Sequence, residues 1–89
     1  MDERELTAKV EMCNENILRF AKEYVDACLC GEMNSETLDL RKAVEIAKNT
    51  NIGEHASKSE LAKFGILLFW FKARDFYSKR LLVLFEEAC

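Results

Sequence analysis

From Leu6 onward, apolar residues recur at Leu6, Val10, Cys13, Ile17, Phe20, Tyr24 and Ala27. The intervals alternate four and three, which is the seam of a helix packed nearly parallel or antiparallel to another helix. Leu18, Ala21, Val25 and Cys28 add a second stripe in the later half. That end is expected to be covered from two sides and the early half from one. Asp2 suits the N-cap with Glu5 as its reciprocal partner, and Gly31 suits a left-handed stop. The pattern predicts a first helix over about 2–30.

The segment GEMNSETLD is a connection with a helix start inside it, and Asn34 or Ser35 has the side chain of a cap. A short helix is expected over about 35–48, with Leu40, Ala43, Val44 and Ala47 on one face. NTNIGEHA breaks it, because Asn and Gly tolerate turn conformations. Ser57 to Glu60 reads SKSE, a capping box, and nothing after it stops a helix before the C-terminus. A third helix over about 57–88 would be roughly 45 Å long. The expectation is one all-α domain over 1–89, with the two long helices packed as an antiparallel hairpin and the short helix between them.

Phe64 to Phe71 is apolar at every position, Gly65 included, and so occupies every angle around the third helix. A single partner helix would leave several of these side chains in water, each worth roughly 1.5–3 kcal/mol when buried. A contiguous exposed patch of that kind marks an interface. Phe64, Leu67, Leu68, Trp70, Phe71, Tyr77 and Leu81 are therefore the expected association surface, with a homodimer closing into a helical bundle as the simplest remedy. A heterologous protein would serve as well.

At 100° per residue, Arg74 lies about 40° from Trp70, Tyr77 about 20° on the other side, and Leu81 and Leu84 within about 40°. Ile66 extends this stripe backwards. Lys72, Asp75 and Lys79 sit roughly opposite, and Asp75 with Lys79 has the acid-first order of a solvated face. Arg74 is different, since it projects from the middle of an apolar stripe and cannot lose its charge. The expected partner is Glu23 or Asp26 of the first helix, or else the stem lies along the core with the head in water. The alternative is an anion site at a groove or subunit interface. There Arg74 would meet a phosphate or carboxylate, and Trp70 or Tyr77 would stack on a base, as in nucleotide binding.

Composition narrows the class. The 89 residues are 49% hydrophobic and 33% charged, with three Gly and no Pro, which favours long helices over a turn-rich β fold. A net charge of −3 argues against a dedicated nucleic-acid binder and against attraction to anionic membranes. The apolar run is far shorter than the roughly 20 residues of a membrane span, and Lys72, Arg74 and Asp75 follow it at once. The acidic start has no apolar signal core, so the expected location is cytoplasmic and the four cysteines are read as reduced thiols.

Little in the sequence points to catalysis. Cys28 and Cys30 would point about 200° apart on a helix, and Cys13, His55 and Cys89 do not complete a zinc spacing. His55 lies in a polar loop without a recognisable triad, and there is no phosphate loop, HExxH or nucleophile elbow. No cofactor, metal ligand set or catalytic residue is expected. A helix-turn-helix reading would use Arg41, Lys42, Lys48, Lys58 and Lys63. However, the connection over 49–56 is longer than the usual turn, and the recognition helix becomes apolar by Phe64. The expected function is a non-enzymatic adaptor, regulator or inhibitor that binds another protein.

Overall fold

The structure is a computed structural model in which residues 2–29, 31–50 and 56–88 are described. Of the break expected over 49–56, residues 51–55, His55 among them, lie outside the described residues, as do Cys30 and Cys89. Three α-helices are present among them: α1 (Glu3–Cys28), α2 (Leu40–Asn49) and α3 (Lys58–Ala88), with a 3-10 turn at Ser35–Thr37. No strand occurs among the described residues, so the fold is all-α as the periodicity predicts.

The two long helices start where short-range chemistry says they should. The backbone N–H of Glu5 donates to Asp2 Oδ1 at 2.9 Å, and that of Glu60 to Ser57 Oγ at 3.2 Å. Each contact satisfies one of the orphan donors of a first turn. Two boundaries differ from expectation. The first helix ends at Cys28, with Leu29 N–H still bonded to Val25 O at 2.8 Å. No described residue has a positive φ, so Gly31 supplies no left-handed stop. The chain is already turning there, with Glu32 and Met33 both donating to Leu29 O.

Helix α2 starts later than expected. Asn34 caps only the 3-10 turn, accepting from Glu36 N–H at 3.0 Å. Leu38 is then extended and its side chain drops into the core, and Asp39 caps α2 by accepting from Lys42 N–H at 2.8 Å. Asp26 on α1 accepts a hydrogen bond from Ser35 Oγ, which ties the turn to the first long helix.

α1 packs along α3 as an antiparallel hairpin. Tyr24 meets Phe64 near one end, with ring centroids 5.4 Å apart, and Leu6 shares a groove with Tyr77 and Leu84 near the other. The core is concentrated at the end where α2 lies. There Ile17, Ala21, Tyr24 and Val25 of α1 join Ala43, Ile46 and Ala47 of α2, Leu38, and Phe64 and Leu67 of α3. Ile17, Val25 and Leu67 are fully buried. The seam therefore shifts along α1: Ala21 and Val25 from the second stripe are buried, Phe20 is half-buried, and Ala27 is exposed.

α2 has 10 residues against the 31 of α3, so it spans only about a third of the hairpin. The molecule measures 48 × 27 × 17 Å, its long dimension set by α3. One end has three helices and the other has two.

Candidate interaction surface

The apolar run on α3 divides by helical angle. Phe64 and Leu67 are buried within the chain, while Leu68, Trp70, Phe71, Tyr77 and Leu81 are half-buried. These are the residues first singled out as an association surface, and they face α1 and α2. The bare positions lie elsewhere on the same helix. Ile66 is 44% exposed, Phe69 62%, Phe76 56% and Val83 48%. Ile66, expected on the Trp70 stripe, therefore faces solvent. Leu61, Leu82 and Phe85 are also exposed.

A spacing signal for the bare face was available: Phe69, Phe76 and Val83 are seven residues apart. In a helix that is apolar all round, this stripe cannot be separated from the buried one until α1 and α2 are placed. The aromatic pairs Phe69–Trp70 and Phe76–Tyr77, with centroids 5.1 Å and 5.4 Å apart, each join an exposed ring to a half-buried one. Such edge contacts hold the exposed rings in defined positions against the scaffold. Arg80 lies 5.7 Å from the Phe76 ring centroid, a cation–π distance.

A groove of about 530 Å³ runs beside this face, between Leu6 of α1 and Phe76, Tyr77, Arg80, Val83, Leu84 and Glu87 of α3. It sits at the two-helix end, where no third helix fills the angle between α1 and α3. On the opposite flank of α3, a second groove of about 410 Å³ lies against α2. Its lining is Leu40, Arg41, Val44, Glu45, Lys48 and Arg74.

Arg74 is half-buried and makes no ion pair among the described residues. The antiparallel register explains why Glu23 and Asp26 do not reach it. They sit beside Tyr24, at the level of Phe64, which is ten residues or about 15 Å along α3 from Arg74. Counting ten residues from Tyr24 and from Phe64 instead brings Asn14 level with Arg74. Asn14 Oδ1 and Arg74 Nε are both buried without a hydrogen-bond partner among the described residues. They are a complementary acceptor and donor at one level of the hairpin. Neither Trp70 nor Tyr77 lines the groove that Arg74 opens into.

Two other groups feel the interior. Burial pushes the Cys13 thiol above its ordinary value of 9.0, against a lowering pull from Lys9 and Arg74. Burial also raises Tyr24 above 10.0, and the nearby Cys28 and Glu60 add to the shift. A buried thiol held protonated is a poor nucleophile. Among the described residues no group of three His, Cys, Asp or Glu side chains is placed to hold a metal ion. No helix of the described residues is long and apolar enough to cross a membrane. No family model, curated protein or solved structure gives a significant match to this chain.

Proposed function

We propose that the chain is a non-enzymatic interaction module, an adaptor, regulator or inhibitor that works in the cytoplasm by binding protein through the bare face of α3. The observation that carries this reading is the row of large apolar side chains at Ile66, Phe69, Phe76 and Val83, exposed on one long helix. Such a row is costly to leave in water and is well suited to a partner. The acidic character of α1 adds selectivity. The eight carboxylates from Asp2 to Glu32, six of them on α1, are all exposed and outnumber the four basic residues of that stretch, which favours a partner with a basic rim.

The test compares the intact chain with the double variant Phe69→Asp, Phe76→Asp in affinity capture from host extract. The expected result is a defined set of proteins retained by the wild type and lost by the variant, with helical circular dichroism unchanged. Equal retention by both would sink the reading.

A second reading rests on the unpartnered Arg74 Nε and the three cations that line its groove, Arg41, Lys48 and Arg74. A small anion such as a nucleotide would be held there by charge-assisted hydrogen bonds. Thermal stabilisation by nucleotides that disappears in Arg74→Ala, while the fold survives, would favour it. No shift with wild type would remove it.

A further inference from the structure

The bare face of α3 has an order beyond its apolarity. Ala62, Ile66, Phe69, Ala73, Phe76, Arg80, Val83 and Glu87 follow one another at intervals of four and three throughout. That is the spacing of a coiled-coil seam, and none of its members belongs to the hydrophobic core of the described residues. Phe69 and Phe76 lie about 100–120° to one side of Trp70, whereas Phe64 and Phe71 lie about as far to the other, towards the core shared with α2. The seam is thus on the flank that α2 does not cover.

We infer that the occupant of this seam is a second copy of the chain, packed antiparallel along α3 about a two-fold axis between Ala73 and Phe76. This deepens the interaction reading above and rests on it: the protein held by the bare face is a second copy, which a heterologous partner would have to displace. The order of the intervals is the same read in either direction, which an isologous interface requires. Side-chain sizes then match in the antiparallel register. Ala73 faces Phe76 of the second copy, Ile66 faces Val83, and Phe69 faces Arg80. Phe69 enters the groove beside Arg80 and Val83, where its ring meets the guanidinium.

A parallel pairing is poorer. It would set Arg80 against Arg80 and Ala73 against Ala73, leaving like charges and a void on the seam. The antiparallel register has one adverse contact, Lys72 near Lys79 of the second copy. Lys79 already holds Asp75 at 3.0 Å in its own chain, which offsets that charge.

Area also fits. The exposed parts of Ile66, Phe69, Phe76 and Val83 amount to roughly 400 Å² per chain, given about 200 Å² for a whole Phe side chain. Two copies therefore contribute roughly 800 Å² from these four residues alone, before Ala62, Ala73 and the stems of Lys72 and Arg80 are counted. Specific interfaces begin near 1,200 Å² in total.

The test is light scattering at micromolar concentration in reducing buffer, with a distance measurement for orientation. Wild type is expected at about 21 kDa, twice the 10.3 kDa of one chain. Phe69→Asp, Phe76→Asp is expected at the mass of a single chain with its helix content kept. Phe69→Ala, Phe76→Ala removes the same contacts without adding charge, and is expected to weaken the dimer at least tenfold. Spin labels on Glu87→Cys, with Cys28, Cys30 and Cys89 changed to Ser, are expected about 37 Å apart, from 25 residues of helix at 1.5 Å each.

A label separation under about 20 Å would mean parallel helices and overturn the register. A dimer that survives both double variants would overturn the seam. A wild-type monomer would overturn self-association, while the capture experiment would still decide the broader interaction reading independently.

Discussion

Leu67→Ala and Phe69→Ala remove large apolar side chains two residues apart in one uninterrupted run, and the structure assigns them opposite energetics. Leu67 is fully buried, packed into the cluster with Ile17, Val25 and Ile46, so truncation leaves a cavity in the three-helix core. Losses of this kind cost about 2–5 kcal/mol. A domain of this length has a total of roughly 4–13 kcal/mol at 0.05–0.15 kcal/mol per residue, so Leu67→Ala removes a large share of it. Phe69 is 62% exposed, and in a single chain its loss is expected to cost about 0.5 kcal/mol or less. Urea unfolding followed by Trp70 fluorescence, at protein concentrations low enough to dissociate any dimer, reads both. The expected outcome is a large drop in midpoint for Leu67→Ala at similar m value, and almost none for Phe69→Ala. Raising the concentration should then expose a deficit for Phe69→Ala alone, as the proposed contact of this residue with a second copy requires. Equal losses at low concentration would refute the rotation of α3 on α1, and with it the division into core and bare faces.

Asp39→Ala is expected to cost about 1 kcal/mol, since Asp39 satisfies the Lys42 N–H at the start of α2, whereas Asn34→Ala should cost less because it caps only the 3-10 turn. Urea midpoints of the two variants check this, and a larger loss for Asn34→Ala would place the helix start wrongly. Stability should also fall at alkaline pH. The folded state holds the Cys13 and Tyr24 protons more tightly than their ordinary values of 9.0 and 10.0. Their contribution is complete below pH 9 and is lost as pH rises through 9 and 10 towards the raised folded values, because the unfolded chain gives up those protons first. Melting temperatures from pH 8 to 11 should fall less steeply in Cys13→Ala and Tyr24→Phe than in wild type. Slopes identical in all three would exclude this linkage.

How much was legible in the sequence depended on the range of the physics involved. The starts of α1 and α3 could be read because Asp2 and Ser57 act on backbone groups three residues away. The start of α2 could not, because Leu38 leaves the helical path to join a core built from three separate helices, and Asp39 has to begin the helix again. The seam of α1 was visible as a 4-3 spacing, but the shift to Ala21 and Val25 depends on where α2 lies. For α3 the spacing was ambiguous by construction. Two apolar stripes share the helix, one around Leu67 and one through Phe69 and Phe76, and only the placement of α1 and α2 tells which is inside. The surroundings of Arg74 needed one further quantity, the register of the hairpin, which sets Asn14 and not Glu23 at its level without a hydrogen bond between them.

The length of α2 connects these features. With 10 residues it covers the end of the hairpin where Tyr24 meets Phe64, and leaves the end near Leu6 and Leu84 with two helices. A two-helix layer buries one stripe on each helix, so a third helix of the full 31 residues would have covered more of α3. The chain instead keeps large apolar side chains along the uncovered flank, and keeps them in heptad order through the point where α2 no longer reaches. If that flank had only to remain dissolved, polar residues at Phe69, Phe76 and Val83 would serve it better, since none of the three is in the core. Their arrangement at seven-residue intervals along one helix is the spacing an intermolecular helix contact uses. The flank of α3 that faces away from α2 is therefore the one proposed to dock a second α3, and it stays bare whatever the length of α2.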